Sequence, residues 1–286
     1  MMGGNEKIPL LLKEFDVDND ENNGFILLGR TIPEEMILEI LSYVDPKEIL
    51  KLGLVCKNWY NITRSHLFWV NVSEKHNRII HKQLPWYLFY CLFAMNYFDT
   101  NLIKNGNGES QFEHWNIIAN GGDGFRVEER PCGSNLLPVN VPEFNGHTSC
   151  FATSFSACIK EQVIELKSKL FLYVLNEYKP HIHASEWVTC RGDCGSTYWM
   201  RLILLNEKDE NLAEADKSFE REQWSEPRWT KISVSLTDYP KGVRKINFMH
   251  EGKDKQFWKG YYGSKMAGAV VRIDFDSIQP IDKTDK

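Results

Sequence analysis

The most constraining feature of this 286-residue chain is a change in its hydrophobic pattern near residue 99. Before this point, apolar residues recur at helical spacing, as in Ile37, Ile40 and Leu41. After it, short runs rich in β-branched and aromatic residues alternate with turn signals such as the one at 105–108. This pattern predicts a small helical unit followed by an antiparallel β-sandwich.

The composition is that of a globular protein, with 42% hydrophobic residues, 26% charged residues and a formal net charge of −5. The acidic balance argues against nucleic-acid binding over the whole surface. Seven irregularly spaced cysteines favour a reducing compartment. The most apolar window, Leu84–Met95, contains Pro85 and is too short to cross a bilayer, and no secretory signal is visible. We therefore expect a cytoplasmic protein without a membrane span.

The polar and apolar patterns also predict where the chain divides. An acidic, asparagine-rich stretch at 16–24 is too polar to bury. Asp45, Pro46 and Glu48 are typical of a capped helix start. The predicted divisions are a flexible leader (1–28), a helical unit (29–72), a linker helical region (73–98), a β-sandwich (99–277) and a tail (278–286).

The sequence contains none of the common enzyme motifs, neither a nucleophile elbow, a P-loop, an H-E-x-x-H helix nor a dinucleotide fingerprint. This favours a non-catalytic protein without a cofactor. A metal-dependent enzyme at His181, His183, Cys190 and Cys194 is the weakest hypothesis, because this spacing is not a standard zinc pattern. Buried thiols and surface histidines are the favoured interpretation, and no metal site is predicted.

A basic and aromatic segment spans residues 241–265. Its seven basic residues are Lys241, Arg244, Lys245, Lys253, Lys255, Lys259 and Lys265. Aromatic residues between them could stack on the bases of a single-stranded nucleic acid. A solvated basic face over a packed aromatic core is the commoner arrangement, so we expect no nucleic-acid partner and keep this segment as an alternative.

The segments Ile32–Pro46 and Leu54–Trp59 strongly resemble an F-box, through the order I-P, E-I-L, D-P, L-V-C and x-W. In F-box proteins this unit binds the Skp adaptor of a Skp–cullin–F-box ubiquitin ligase. The resemblance implies the Skp adaptor and the cullin scaffold as partners. The implied adaptor-binding residues are Ile32, Pro33, Ile37, Leu41, Leu54, Val55 and Trp59.

The rest of the chain resembles the F-box-associated domain of the sugar-recognising F-box proteins. The local matches lie at 101–105, 121–128, 154–166, 237–244 and 257–263. That family folds as a ten-stranded antiparallel sandwich joined to the F-box by a linker helix. The implied fold class is α+β multidomain, with a small N-terminal helical F-box and a C-terminal sandwich of about ten strands.

Members of that family bind the chitobiose core of high-mannose N-glycans on misfolded glycoproteins and present them for ubiquitination and ER-associated degradation. The resemblance implies glycan contacts from Phe257, Trp258 and Lys259, with Phe155 as a further candidate. Phe257 replaces the family's Tyr, which keeps the ring and removes a hydroxyl. The alternative is an F-box adaptor whose sandwich recognises a non-glycan protein ligand, or nucleic acid through 241–265.

Overall fold

The computed structural model describes residues 23–27 and 29–281. The predicted leader up to residue 22, Leu28 and the last five residues of the predicted tail lie outside the described residues. Within the described residues, no helix is both long and apolar enough to cross a membrane. The chain divides into two compact units. The first contains the described residues up to Asp99, Ser168–Tyr178 and the segment from Phe275 onward, and the second contains Thr100–Lys167 and Lys179–Asp274.

The first unit is helical and begins with a short hairpin. Its elements are β1 (Ile26–Leu27), β2 (Arg30–Thr31), α1 (Glu34–Leu41), α2 (Ile49–Leu52), α3 (Lys57–Ile62), α4 (His66–Lys75), α5 (Trp86–Phe93) and α6 (Lys169–Tyr178). Pro33 precedes α1, whose first turn carries two acidic residues that suit a helix N-terminus. The Ser65 hydroxyl caps α4 by accepting a hydrogen bond of 3.2 Å from the backbone N–H of Phe68.

The predicted helix start, with Asp45 as N-cap, is wrong by three residues, because the N-cap of α2 is Glu48. The Asp45 carboxylate accepts a hydrogen bond of 2.9 Å from the N–H of Lys47, and the N–H of Glu48 bonds to the Asp45 carbonyl. These bonds form a turn of the kind that aspartate side chains stabilise. Helix α2 therefore begins only at Ile49.

Aromatic packing explains why α6 and the C-terminal segment belong to the helical unit. Phe98 packs edge-to-face on Phe171 of α6 and on Phe275, with ring centroids 5.2 Å and 5.3 Å apart. Arg78 bonds to Asp99 at 2.6 Å and to Asp276 at 3.0 Å. Short helices bury little surface by themselves, so they gain stability from these segments that are distant in sequence. The predicted sandwich, residues 99–277, included Ser168–Tyr178 and the start of the segment from Phe275 onward, which the structure places in the helical unit.

The second unit consists of two antiparallel sheets, with strand orders β10-β7-β12-β5-β4 and β3-β6-β11-β8-β9. Its strands are β3 (Asn116–Asn120), β4 (Arg126–Glu128), β5 (Cys150–Ala152), β6 (Cys158–Glu165), β7 (Ile182–Thr189), β8 (Ser196–Leu205), β9 (Asn211–Arg221), β10 (Thr230–Leu236), β11 (Lys245–Asp254) and β12 (Lys265–Ile273). A helical unit followed by a sandwich of ten strands confirms the predicted fold class.

A fully buried carboxylate joins the two sheets of the sandwich. Glu186 of β7 accepts a hydrogen bond of 2.6 Å from the Tyr198 hydroxyl of β8. The same carboxylate oxygen lies 2.6 Å from Nδ1 of His250 on β11. Burial away from water lowers the pKa of His250 to about 4, against the opposing effect of Glu186. The histidine is therefore neutral in the folded protein near pH 7.

A second buried polar side chain lies in the same core. The Lys160 Nζ atom lies 3.3 Å from the ring centroid of Trp115 and 3.4 Å from that of Phe151. Burial lowers the pKa of Lys160 well below its ordinary value. The Trp115 ring, which lies next to Lys160, also stacks on the ring of His250, with a centroid distance of 5.0 Å. The interior of the sandwich thus combines aromatic packing with a few fixed polar contacts.

Candidate functional site

The loop between β11 and β12 presents two exposed aromatic side chains. The buried Asp254 carboxylate at the end of β11 accepts hydrogen bonds from the backbone N–H groups of Phe257 (2.6 Å) and Trp258 (2.9 Å). Phe257 has a φ of +59°, in the left-handed region that non-glycine residues seldom adopt. As a result, the Phe257 side chain is 73% exposed and that of Trp258 is 41% exposed.

A second set of hydrogen bonds fixes the far end of this loop. The N–H of Gly260 donates to the Asp123 carboxylate at 2.8 Å, and the Ser154 hydroxyl donates to the Gly260 carbonyl at 2.8 Å. Ser154 also accepts from the N–H of Asp123 at 2.9 Å. Gly260 has a φ of +117°, which only glycine adopts readily. Three separate loops are thus tied together around one turn.

Phe155 lies beside the exposed pair and not in the core. It is half-buried, and its ring meets that of Phe257 edge-to-face with centroids 4.9 Å apart. Trp258 packs edge-to-face against Tyr262 at 5.7 Å, and the side chain of Lys259 is exposed. The structure therefore brings together all four residues that the sequence proposed for glycan contact. We refer to Phe155, Phe257, Trp258 and Lys259 as the aromatic loop site.

The chemistry of the aromatic loop site suits a ligand with one apolar face and several hydroxyl groups. When an exposed aromatic ring covers apolar C–H surface of a ligand, the burial of both surfaces stabilises the complex. A lysine ammonium offers three hydrogen-bond donors to oxygen atoms at the edge of such a ligand. Because the backbone hydrogen bonds hold the loop before any ligand arrives, little conformational entropy is lost on binding.

A cleft of about 590 Å³ lies next to this loop, and sequence reasoning missed it. Its walls include Tyr261 and Tyr262 from the loop together with Arg126 and Arg191. The Arg191 guanidinium lies 4.5 Å from the ring centroid of Tyr262. Its hydrogen bonds to Asp193 lower the pKa of that carboxyl group. Tyr261 and Tyr262 belong to the basic and aromatic segment 241–265. Arg126 and Arg191 are distant from it in sequence and reach the cleft only in the folded sandwich.

Among the seven basic residues of 241–265, Lys245, Lys255 and Lys265 form ion pairs with carboxylates. Lys245 lies 2.6 Å from Asp209. The buried Lys265 lies 2.7 Å from Glu128. Lys255 is also ion-paired, with Glu220 and Glu222. Phe248 is fully buried, as expected for a packed aromatic core. These ion pairs weaken the electrostatic basis of the nucleic-acid hypothesis.

The predicted adaptor-binding residues separate into exposed and buried groups. Leu54 is 80% exposed, and Val55 and Pro33 are also exposed, whereas Ile32 is half-buried. Trp59 is half-buried and donates through Nε1 to the carbonyl of Gly24 at 2.9 Å.

Ile37 and Leu41 are buried in the helical unit, on the inner face of α1. Their role in adaptor binding stays a prediction. The exposed apolar neighbours on and after α1 are Met36, Ile40 and Tyr43. The F-box resemblance named Ile37 and Leu41, and helical periodicity alone does not separate a buried face from a docking face.

Family comparisons agree with both units. The family model of the F-box associated region matches residues 93–273, and the F-box-like model matches residues 30–75. The chain therefore belongs to the F-box proteins that carry an F-box-associated region, a class of substrate receptors for Skp–cullin–F-box ubiquitin ligases.

Individual relatives support this assignment. The chain is 32% identical over 255 residues to F-box only protein 6 of Mus musculus, which covers 85% of this chain and 82% of the relative. It is 30% identical over 272 residues to F-box only protein 2 of Bos taurus, with coverages of 89% and 87%. Among solved structures, TmCBM61 in complex with β-1,4-galactotriose covers 62% of this chain and 100% of that chain, at a TM-score of 0.39 and 10% identity, a likeness too weak to carry an argument.

Proposed function

We propose that this F-box protein captures misfolded glycoproteins through the chitobiose core of their high-mannose N-glycans. It then presents them in the cytoplasm for ubiquitination and ER-associated degradation. The observation that carries this proposal is the aromatic loop site, in which a buried carboxylate holds Phe257 and Trp258 outward beside Lys259.

Each residue of the aromatic loop site has a distinct role in this proposal. Trp258 supplies the large flat surface on which the apolar face of a sugar ring lies. Phe257 and Phe155 form an edge-to-face corner that can receive an apolar group, such as the methyl of an N-acetyl substituent. Lys259 donates hydrogen bonds to sugar oxygens. Because Phe257 has no hydroxyl group, the sugar is oriented by stacking on the aromatic rings and by hydrogen bonds from Lys259.

The ligase side of the proposed function uses the helical unit. Leu54 and Val55, together with Met36, Ile40 and Tyr43, form an exposed apolar set suited to a partner protein. Ile37 and Leu41 lie on the buried face of α1. We propose that the Skp adaptor binds here and links the receptor to the cullin scaffold.

The free cysteines support a cytoplasmic site of action. All seven cysteines are free, and five of them are buried. Burial raises the pKa of Cys91 and of Cys150, to about 12 in the second case, so these thiols stay protonated and unreactive. A protein of this kind needs no oxidising environment to fold.

Substitution of Trp258 tests the sugar-binding half of the proposal. Wild-type protein and the W258A variant are incubated with immobilised high-mannose glycoprotein, and the captured fraction is measured. We expect W258A to lose capture, because burial of a large aromatic face contributes a few kcal/mol. The matched control is W224A, since Trp224 is also an exposed tryptophan in a loop of the sandwich. Equal loss in both variants, or full capture by W258A, would contradict the proposal.

A non-glycan protein ligand is the competing outcome of the same experiment. If enzymatic removal of the N-glycans leaves capture unchanged, the sandwich recognises the polypeptide. In that case the aromatic loop site loses its proposed ligand, while the assignment to the ligase receptor class is unaffected.

A further inference from the structure

We propose that His181, His183 and Asp274 form a binding site for a divalent transition-metal ion of the zinc type. The side chains come from two neighbouring strands of the sandwich. His181 immediately precedes β7, and His183 lies two positions later, so both side chains are on the same face of the sheet. Asp274 immediately follows β12, and its N–H donates to the His181 carbonyl at 2.9 Å.

Strand pairing places the carboxylate beside the imidazoles. Strands β12 and β7 are antiparallel, with Ile273 opposite Ile182 and Arg272 opposite His183. Asp274 therefore falls opposite His181 on the face that carries the histidines. Ile182 is fully buried, which turns the two flanking histidines toward the outer surface of the sheet.

The distances are compatible with a single bound ion. One nitrogen of each histidine and one Asp274 carboxylate oxygen all lie within 4.8 Å of one another. The His183 Nε2 atom lies 3.8 Å from the Asp274 carboxylate. Zinc–ligand distances of about 2.0–2.2 Å in tetrahedral geometry place two ligand atoms about 3.3 Å apart. Small side-chain rotations, with no movement of the sheet, would bring these atoms to that separation.

A neighbouring hydroxyl group already orients one of the proposed ligands. The His183 Nδ1 atom lies 2.7 Å from the Ser235 hydroxyl, on strand β10 directly opposite His183. When Nδ1–H donates to this hydroxyl, the lone pair of Nε2 faces Asp274. Histidines that bind metals commonly hold their second nitrogen in such a hydrogen bond, which fixes the tautomer and the ring orientation.

The donor set determines the chemical class of the ion. Two neutral imidazoles and one carboxylate suit zinc and its neighbours better than calcium or magnesium, which prefer oxygen ligands. Three protein ligands leave a position for water or another ligand. All three side chains are half-buried and open to ions from solution.

The structure changes the ligand set that the sequence considered. Cys190 and Cys194 are fully buried, and the Cys194 thiol donates to Gln256 at 2.8 Å. Asp274, 91 positions after His183, takes the place of the cysteines because β12 pairs with β7. Sequence spacing alone could not identify this third ligand.

The proposed metal site is far from the aromatic loop site. The aromatic loop precedes β12, whereas Asp274 follows its last residue, nine positions after Lys265. Along a strand this separation corresponds to about 30 Å. Metal binding and sugar capture should therefore be independent, and failure of one proposal leaves the other standing.

Calorimetric titration of the full chain with Zn²⁺ tests this inference, after chelator treatment and under reducing conditions. We expect one tight zinc ion per chain, with affinity at least tenfold weaker in both H183A and D274N. The matched control is H147A, because His147 is a half-buried histidine elsewhere in the sandwich. Thermal unfolding without metal checks that each variant is folded, and D274N keeps the size of its side chain should H183A fail. Zinc binding that is equal in wild type, H183A and D274N overturns the proposal, as does the absence of tight binding.

Cobalt substitution identifies the ligand atoms. A site of two imidazoles and a carboxylate gives weak d–d bands without thiolate-to-cobalt charge transfer. We expect S235A to keep this spectrum and to bind about tenfold more weakly, because the hydroxyl only orients His183. A strong charge-transfer band for the tightly bound ion assigns it to cysteine and contradicts the proposed ligands.

Discussion

The helical unit and the sandwich expose the apolar side chains proposed for binding by different means. In the helical unit, Leu54 lies in the turn between α2 and α3, and buried aromatic side chains such as Trp69 and Phe89 pack in the interior of the unit. In the sandwich, Phe257 and Trp258 lie in a loop held by hydrogen bonds from Asp254. The first surface therefore depends on hydrophobic packing and the second on a buried polar group. Substitutions that remove each kind of support should separate the two activities.

The largest effect is expected from removing the aromatic interior of the helical unit. Trp69 is fully buried, stacks near Phe89 and donates to the Thr63 carbonyl at 2.9 Å. W69A should lower the free energy of unfolding by about 3–5 kcal/mol. We expect loss of binding to the Skp adaptor, measured by co-purification, and a lower denaturant midpoint. I79A replaces an exposed side chain of the same unit and should change little, so an equal loss in both variants would contradict this account.

The second prediction concerns the buried histidine of the sandwich. His250 has a pKa of about 4 when folded and about 6.5 when unfolded. As the pH falls from about 6.5 to about 4, the unfolded chain takes up a proton that the folded chain does not. The free energy of unfolding should therefore decrease over this range, by on the order of 3 kcal/mol from this group.

Denaturant titrations at a series of pH values measure the contribution of His250. The variant H250Q removes the titrating group and should show a shallower dependence on pH between 4 and 6.5, whatever its stability at pH 7. The control L236A changes a buried side chain that does not titrate, in the same sandwich, and should keep the wild-type slope. If H250Q and wild type have the same slope, His250 does not titrate in the way described.

The third prediction removes the support of the aromatic loop without touching its rings. D254A leaves the N–H groups of Phe257 and Trp258 without their partner, at a cost of about 1–3 kcal/mol. We expect weaker glycoprotein capture and unchanged adaptor binding. D254N keeps one acceptor oxygen and should lie between D254A and wild type. Full capture by D254A would show that the loop does not need this carboxylate.

The smallest effect is expected at the start of α1. Pro33 is exposed, and its carbonyl accepts hydrogen bonds from the N–H groups of Met36 and Ile37. P33A releases the fixed φ angle of proline and should destabilise the helical unit by about 0.4–1 kcal/mol. Adaptor affinity, measured by surface plasmon resonance, should fall slightly, and capture of glycoprotein should persist. Loss of capture in folded P33A would show that the helices form part of the sugar site, and would contradict the independence of the two binding surfaces.

Local patterns were sufficient for much of this molecule. The change from helical to alternating periodicity near residue 99 predicted the two kinds of unit. The family resemblance named Phe257–Lys259, and the structure places these residues in one exposed loop. The periodicity and the matching motif each lie within a few neighbouring residues, so both can be read from the sequence.

Features that depend on distant pairing could not be predicted in this way. Helix α6 belongs to the helical unit because Phe171 finds its partner in Phe98. Asp123 supports the aromatic loop site by accepting a hydrogen bond from the N–H of Gly260, which is 137 positions away. Asp274 meets His183 only through the pairing of β12 with β7. In each case the deciding contact lies between segments that are far apart in the sequence.

Competition by free chitobiose directly tests whether the aromatic loop site recognises the glycan core. Wild-type protein is bound to a high-mannose glycoprotein, and the bound fraction is followed as the disaccharide is added. We expect complete displacement by chitobiose, no displacement by a disaccharide without N-acetyl groups, and little change with salt, because stacking on Trp258 is not driven by charge. Binding that persists at saturating chitobiose would contradict the claim that the aromatic loop site recognises the glycan core.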